Sequence, residues 1–328
     1  MRLLPTNPPL SWSVARFGLR LLLLAAAAGG VAPLQAGTAW VPNEGSGTIS
    51  VIDTGTDQVI ATIRHGQKPR GIAVSPDGSR LYLSDQTGNA LVVVDVARNA
   101  TVATVPLGES PEAIYLSPDG KHLSAAIERA DTVVIVDTVA MKVAHRIRTT
   151  GKNPEHAVWS PDGKWIYVST EEADLVDIID VARHRVVRSV KVGDRPRGIG
   201  FLPDGTRAYV AVENADTVNV LDTRTKTVTA RIKVGLRSNG VLVHPDGKRV
   251  FVTSGGNGTV QVIDVATNTI VREIPVGKRP WNMALTPDGR KLYVAAGRSN
   301  AVAVIDTATY ARVADIPVGE LPWGVAIH

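Results

Sequence analysis

Cysteine does not occur in the 328 residues. Its absence excludes a disulfide scaffold, a thiolate zinc site, a cysteine-held iron–sulfur cluster and a cysteine nucleophile. It does not exclude export, because a core of this size needs no cross-links. Aromatic residues make up only 5% of the chain, and no stretch carries a convincing helical period. Glycine and proline, 30 and 20 residues, stay well below the level that marks disorder or collagen. The length allows two ordinary domains or one large all-β domain.

A long hydrophobic run is also missing. The longest, Leu21 to Ala28 with a softer continuation to Val31, is short of the roughly 20 residues of a membrane span. It follows Arg2, Arg16 and Arg20, precedes Ala32-Pro33, and residues 1–36 hold no acidic residue. Basic start, short apolar centre and small exit residues read as a signal peptide over 1–36, cut after Ala36. No Arg-Arg pair and no lipid-accepting cysteine are present, so the expected product is soluble and periplasmic or secreted. Cleavage would remove three of 36 basic residues and none of 31 acidic ones, taking the net charge from +5 to +2. A near-neutral chain has no general pull on nucleic acid or anionic membrane. The expected partners are a small ligand or another periplasmic protein, and the expected state is a monomer.

Residues 37–328 are one unit repeated. A hydrophobic run ending in aspartate recurs at Asp53, Asp95, Asp137, Asp180, Asp222, Asp264 and Asp306, in steps of 42, 42, 43, 42, 42 and 42 residues. A Gly-x-x-Pro turn heads the units at Gly66, Gly108, Gly151, Gly193, Gly277 and Gly319, with Ser238 replacing proline after Gly235. Pro-Asp-Gly turns recur from Pro76 to Pro287; proline pre-sets φ, aspartate bonds its own backbone and glycine accepts positive φ. Within a unit, Leu91-Val-Val-Val94 is apolar on consecutive residues, as a strand covered on both faces must be. Thr227 to Val234 alternates, as a half-wet outer strand does. Four strands per unit and seven units predict an all-β, seven-bladed β-propeller. The chain starts on a second-strand pattern and ends, at Trp323 to His328, on a first-strand pattern. The N- and C-terminal strands should therefore share one blade and remove the open edges.

The strings Leu81-Tyr-Leu83, Ile166-Tyr-Val168, Ala208-Tyr-Val210 and Leu292-Tyr-Val294, with their SPDG turns, VIDT or VIDV ends and VGxxPxG loops, resemble the YVTN-type β-propeller repeat family over all of residues 37–328. WD40 repeats are excluded by the missing Gly-His and Trp-Asp signatures. The RPRG, SPEA, NPEH, RPRG and PWGV segments look, more narrowly, like the periplasmic propellers associated with PQQ-dependent alcohol catabolism, although Asn239 and His156 depart from that pattern. That resemblance implies a supporting role beside quinoprotein dehydrogenases. The chain is not such a dehydrogenase, since those are larger, eight-bladed and carry an adjacent cysteine pair.

In a propeller the loops leading into the first strands gather around the central channel. The residues that follow each Gly-x-x-Pro should form a ring there: Trp281, Trp323, Arg70, Glu112, Glu155, Arg197 and Asn239, with His156 beside them. Two readings stay open. The ring is a ligand pocket with an aromatic wall, in which Glu112, Glu155 and His156 bind a cation or work as acid and base. Alternatively, Arg70–Glu112 and Arg197–Glu155 pair off and Trp323 stacks on Arg70. A third reading, nucleic-acid binding through Arg70, Arg195, Arg197, Lys278 and Arg279, is weaker. Acidic loops at Glu128–Asp131, Glu171–Asp174 and Glu213–Asp216 read as a solvated rim beside the ring. Scattered histidines, no Gly-x-Ser-x-Gly and no phosphate loop favour a non-catalytic binding scaffold supporting an oxidation system over an enzyme. The residues identify no cofactor.

Overall fold

The computed structural model describes Met1 and residues 37–328. The expected signal peptide therefore lies outside the described residues. No helix among the described residues is long and apolar enough to cross a membrane.

Seven four-stranded antiparallel sheets follow one another along the chain. Blades 2 to 7 each run from an inner to an outer strand. Their inner strands are Pro69–Val74, Pro111–Leu116, Pro154–Trp159, Pro196–Phe201, Ser238–Val243 and Pro280–Leu285. Proline at the first position fits because it removes an amide that the strand's start need not donate. The third strand of blade 2, Ala90–Asp95, is buried throughout, while Gln58–Ile63, the outer strand of blade 1, is exposed along nearly all its length. The continuous and the alternating apolar patterns thus mark inner and outer positions as the sequence suggests.

The repeated aspartates serve the turns. Asp53 Oδ1 accepts the amides of Gly55 and Thr56 at 2.9 and 2.8 Å, and Asp77 Oδ1 accepts the amide of Ser79 at 3.0 Å. Both carboxyls are held below their ordinary range, Asp53 chiefly by the Thr56 amide and Asp77 chiefly by the Ser75 hydroxyl, which donates to it at 2.6 Å, and then by the Ser79 amide.

The core lies between blades. Tyr82, Leu91 and Val93 of blade 2 pack on Leu123, Ala125 and Val134 of blade 3. The same arrangement joins blade 7, through Tyr293, Ala295 and Val302, to Ala39, Val41 and Ile52 of blade 1. Each sheet needs a neighbour on both faces, which only a closed ring supplies.

Blade 1 closes the ring. Its strands Thr38–Asn43, Thr48–Asp53 and Gln58–Ile63 come from the start of the described chain, and its inner strand Ala326–Ile327 comes from the end. Ala39 pairs with Ile327 and Trp40 with Ala326. Thr38 and His328 exchange backbone hydrogen bonds at 2.7 and 3.0 Å, and the Trp323 amide donates to the Pro42 carbonyl at 3.0 Å. The regular strand is shorter than the Trp323–His328 pattern suggests, yet Trp323, Val325 and Ala326 are all buried. Deleting residues 321–328 should cost on the order of 5 kcal/mol from lost burial alone. The expected drop in Tm is about 10 °C or more, with aggregation visible by light scattering; an unchanged Tm would refute this account of closure.

Candidate active site at the channel mouth

Six of the ring residues are the second residue of an inner strand, one position after the turn that swings the chain in from the previous blade, and Trp323 takes the corresponding place ahead of the short closing strand. Gly108, Gly193 and Gly277 begin these turns at φ of 128°, 120° and 117°, a region closed to side-chain-bearing residues. Because the step between turns is constant, the seven residues converge on one end of the channel. Glu112, Glu155, His156, Arg197, Asn239 and Trp323 are buried there, while Arg70 and Trp281 are partly covered.

The pairing expected from the sequence is present. Arg70 Nη1 lies 2.8 Å from Glu112 Oε1, and Arg197 Nη1 lies 2.9 Å from Glu155 Oε1. The Arg70 guanidinium sits 5.3 Å from the centroid of Trp323. Pairing is not the whole arrangement, however. A second ring, one residue past each second strand, meets the first: Glu44, Gln86, Glu128, Glu171, Glu213, Gly255 and Gly297. Arg197 also bonds Glu171 and, at 2.7 Å, Glu213. Glu213 accepts from Arg279 at 2.8 Å, and Arg195 reaches Glu171 and Glu213 at 3.3 and 3.4 Å. Gln86 Nε2 donates to Glu112 Oε1 at 2.6 Å.

Glu171 and Glu213, read from sequence as part of a solvated rim, are therefore buried members of the site. Their membership follows from the same 42-residue step, applied to the residue after each second strand. Arg70, Arg195, Arg197 and Arg279, the arginines that suggested nucleic-acid binding, are all engaged by carboxylates. Gly297 completes the second ring by having no side chain: a Cβ there would lie 2.3 Å from the Trp281 indole.

This crowding sets the protonation states. Burial, and after it the charge of Glu155, pushes the Glu112 carboxyl well above the ordinary range, against the pull of Arg70. Burial works against the charge of Glu155 too, but Arg197 and Arg70 outweigh it and keep Glu155 below the ordinary range. Glu171 is pushed up to about 7 by burial and by Glu155. His156 is pushed down to about 4 by burial, so it stays neutral. Its Nδ1 meets the Tyr115 hydroxyl at 2.5 Å, and its ring stacks on Trp323 with centroids 6.1 Å apart. Four buried polar atoms of the site are left without partners: Glu112 Oε2, His156 Nε2, Arg70 Nε and Arg279 Nη1. Deeper along the channel, a cavity of about 110 Å³ is lined by Tyr115, Asn282, Met283 and Trp323 among others. Among the described residues no three His, Asp or Glu side chains are grouped to hold a metal ion, which leaves the cation reading of Glu112, Glu155 and His156 without a ligand set.

The family model described as "Lactonase, 7-bladed beta-propeller" matches residues 36–142, 108–187 and 181–310. The chain belongs to this seven-bladed β-propeller lactonase family. Among solved structures, Kuenenia stuttgartiensis hydrazine synthase is similar at 25% identity and a TM-score of 0.76, over 83% of this chain and 92% of that one. A candidate 6-phosphogluconolactonase of Bacteroides uniformis shares the fold at 19% identity and a TM-score of 0.76, over 90% of this chain and all of its own. A Desulfotomaculum acetoxidans protein of unknown function does so at 20% identity and a TM-score of 0.78, over 88% and 98%. No curated protein matches the chain in sequence.

The lactonase family corrects the expectation of a non-catalytic scaffold and points to lactonase-like enzymatic function. The physical reason is that a propeller draws its site from different blades. Its reacting groups stand some 42 residues apart, where no compact motif can reveal them.

Two substitutions test the ring. Gly297→Ala should displace the Trp281 indole, cost about 1–3 kcal/mol and shift the tryptophan emission; an unaltered spectrum and Tm would refute the fit. Arg197→Met strips Glu155, Glu171 and Glu213 of their shared partner and should cost about 3–5 kcal/mol near neutral pH. Without Arg197 these carboxyls bind protons more readily in the fold, so the loss should shrink as pH falls. Urea unfolding at neutral and at mildly acidic pH measures both parts.

Proposed function

We propose that the chain is a hydrolase that opens a small cyclic ester at the channel mouth. The observation that carries this reading is Glu112: a buried carboxyl held above the ordinary range, with Oε1 fixed by Arg70 and Gln86 and Oε2 unpartnered. A buried carboxyl raised in this way binds a proton more readily than a free one, and its unpartnered oxygen can take up a proton and give it back. Membership of the lactonase family supports the choice of substrate class.

In the proposed reaction Glu112 takes a proton as water attacks the lactone carbonyl. Arg70, within 2.8 Å of the same carboxyl, stabilises the developing oxyanion. The ring C–O bond then breaks, and Glu112 returns the proton to the leaving oxygen, so that water is added across the ester to give a hydroxy acid. Glu155 is a positioning charge: pinned as a carboxylate by Arg197, it raises Glu112. Trp323 and neutral His156 form the wall against which a ring would lie.

The resemblance to YVTN-type and PQQ-associated propellers fits this reading chemically. Two-electron oxidation of a cyclic hemiacetal yields a lactone, so a dehydrogenase acting on such compounds would supply the substrate. Export through residues 1–36, a monomeric state and work beside a periplasmic oxidation system belong to the same proposal.

A pH-indicator assay with γ-butyrolactone and glucono-δ-lactone tests it. Glu112→Gln should lower the rate about 10²–10⁴-fold with the fold retained. Glu155→Gln should mainly move the acid limb of the pH–rate profile to lower pH, because Glu112 then loses the neighbouring charge that raises it. Equal rates for the parent and Glu112→Gln would overturn the assignment.

A further inference from the structure

The face opposite the channel mouth, where the Pro-Asp-Gly turns lie, holds a pocket between blades 4 and 5. Its volume is about 560 Å³, inside the roughly 300–1,000 Å³ of small-ligand sites. It opens where blade 4 carries Trp165 in place of the basic arm of blades 5, 6 and 7. The position that opens the second strand is Arg80, His122, Arg207, Arg249 and Lys291 in blades 2, 3, 5, 6 and 7, but Trp165 in blade 4. In blades 5, 6 and 7 this basic side chain crosses to the next blade and donates to a turn carbonyl. Arg207 reaches Val265 at 3.0 Å, Arg249 reaches Thr307, and Lys291 reaches Thr54 at 2.9 Å. The equivalent acceptor for blade 4 is Thr223, which instead lines the pocket together with Trp165. Where blades 5, 6 and 7 lay an arm across the groove, blade 4 leaves it open.

The lining says what would fit. Trp165, Tyr167 and Phe201 form an aromatic wall, with Tyr167 and Phe201 edge to face at 4.8 Å. Lys226 reaches across from blade 5, its Nζ 4.3 Å from the Trp165 centroid. The charged lining is two carboxylates, Asp162 and Asp204, and two cations, Arg224 and Lys226, which sum to zero. Asp204 commits only Oδ1 to its own turn, accepting from the Thr206 amide at 2.9 Å and hydroxyl at 2.8 Å. Aromatic faces suit an apolar C–H surface, and mixed donors and acceptors of balanced charge suit hydroxyl groups rather than an ion. We propose that this pocket is a binding site for a neutral saccharide-class ligand, a polyhydroxylated ring stacked on the aromatic wall and held at its edge by Asp162, Asp204 and Lys226.

The site does not depend on the channel-mouth chemistry. Saturation-transfer NMR and calorimetry of the full chain with cellobiose and maltotriose, and with glycerol as a control, test it directly. Saturable binding of either saccharide, not of glycerol, is expected, and it should survive Glu112→Gln. Trp165→Arg restores the residue type of the neighbouring blades and should lay an arm across to Thr223. It should weaken binding about tenfold or more while keeping or raising Tm. Should Trp165→Arg fail to fold, Trp165→Ala asks the same question by removing the wall. No saturable saccharide binding by the parent, or undiminished binding by the folded Trp165 variants, would overturn the proposal.

Discussion

Apolar packing between neighbouring sheets is the constraint on which everything else rests. No blade has a core of its own; each offers two apolar faces that only the blades beside it can cover. A linear array of such sheets would end in two uncovered faces and two unpaired edges. Ring closure removes both, and it fixes the distance of every inner strand from the axis. The channel mouth then follows as geometry, since seven equivalent residues must converge there whatever their chemistry.

Repetition places the ring, and departure from repetition equips it. A ring of seven identical arginines or glutamates would drive itself apart. Here both arginines stand in the first tier among carboxylates of both tiers, and Arg197 answers three of them at once. The balance is complete enough to bury these charges and uneven enough to leave Glu112 protonated more readily than Glu155. Trp281 occupies the blade whose second-tier residue is Gly297, so its indole is given room by an absent side chain.

The fold was legible because its causes are local and repeated. Asp53 and its six equivalents, the Gly-x-x-Pro turns and the apolar third strands each announce one feature of a blade, and the terminal half-patterns announce closure. The first tier of the site was legible for the same reason: Arg70, Glu112, Glu155 and Arg197 share a position in the repeat. The second tier was harder to see. Glu171 and Glu213 look like any charged loop residues, and only the three-dimensional convergence of loops turns them inward. An acid–base role for Glu112, Glu155 and His156 was one reading among others, because the sequence does not show the burial that raises Glu112 or the placing of Glu155 and Arg70 beside it from two other blades. The Trp165 pocket lay in plain view as a break in the pattern, but its meaning needs the arms of Arg207, Arg249 and Lys291 for contrast.

Trp323 belongs both to the closing segment and to the ring, and this joins completeness to competence. During synthesis the first three strands of blade 1 emerge early and wait with an unfilled inner place while six blades are made. A segment made after all six of them fills that place and, in the same movement, delivers the seventh member of the mouth, the one that carries His156 on its face and Arg70 against its ring. A chain released too soon therefore lacks not only stability but a finished site. The mouth is complete only once the ring is closed.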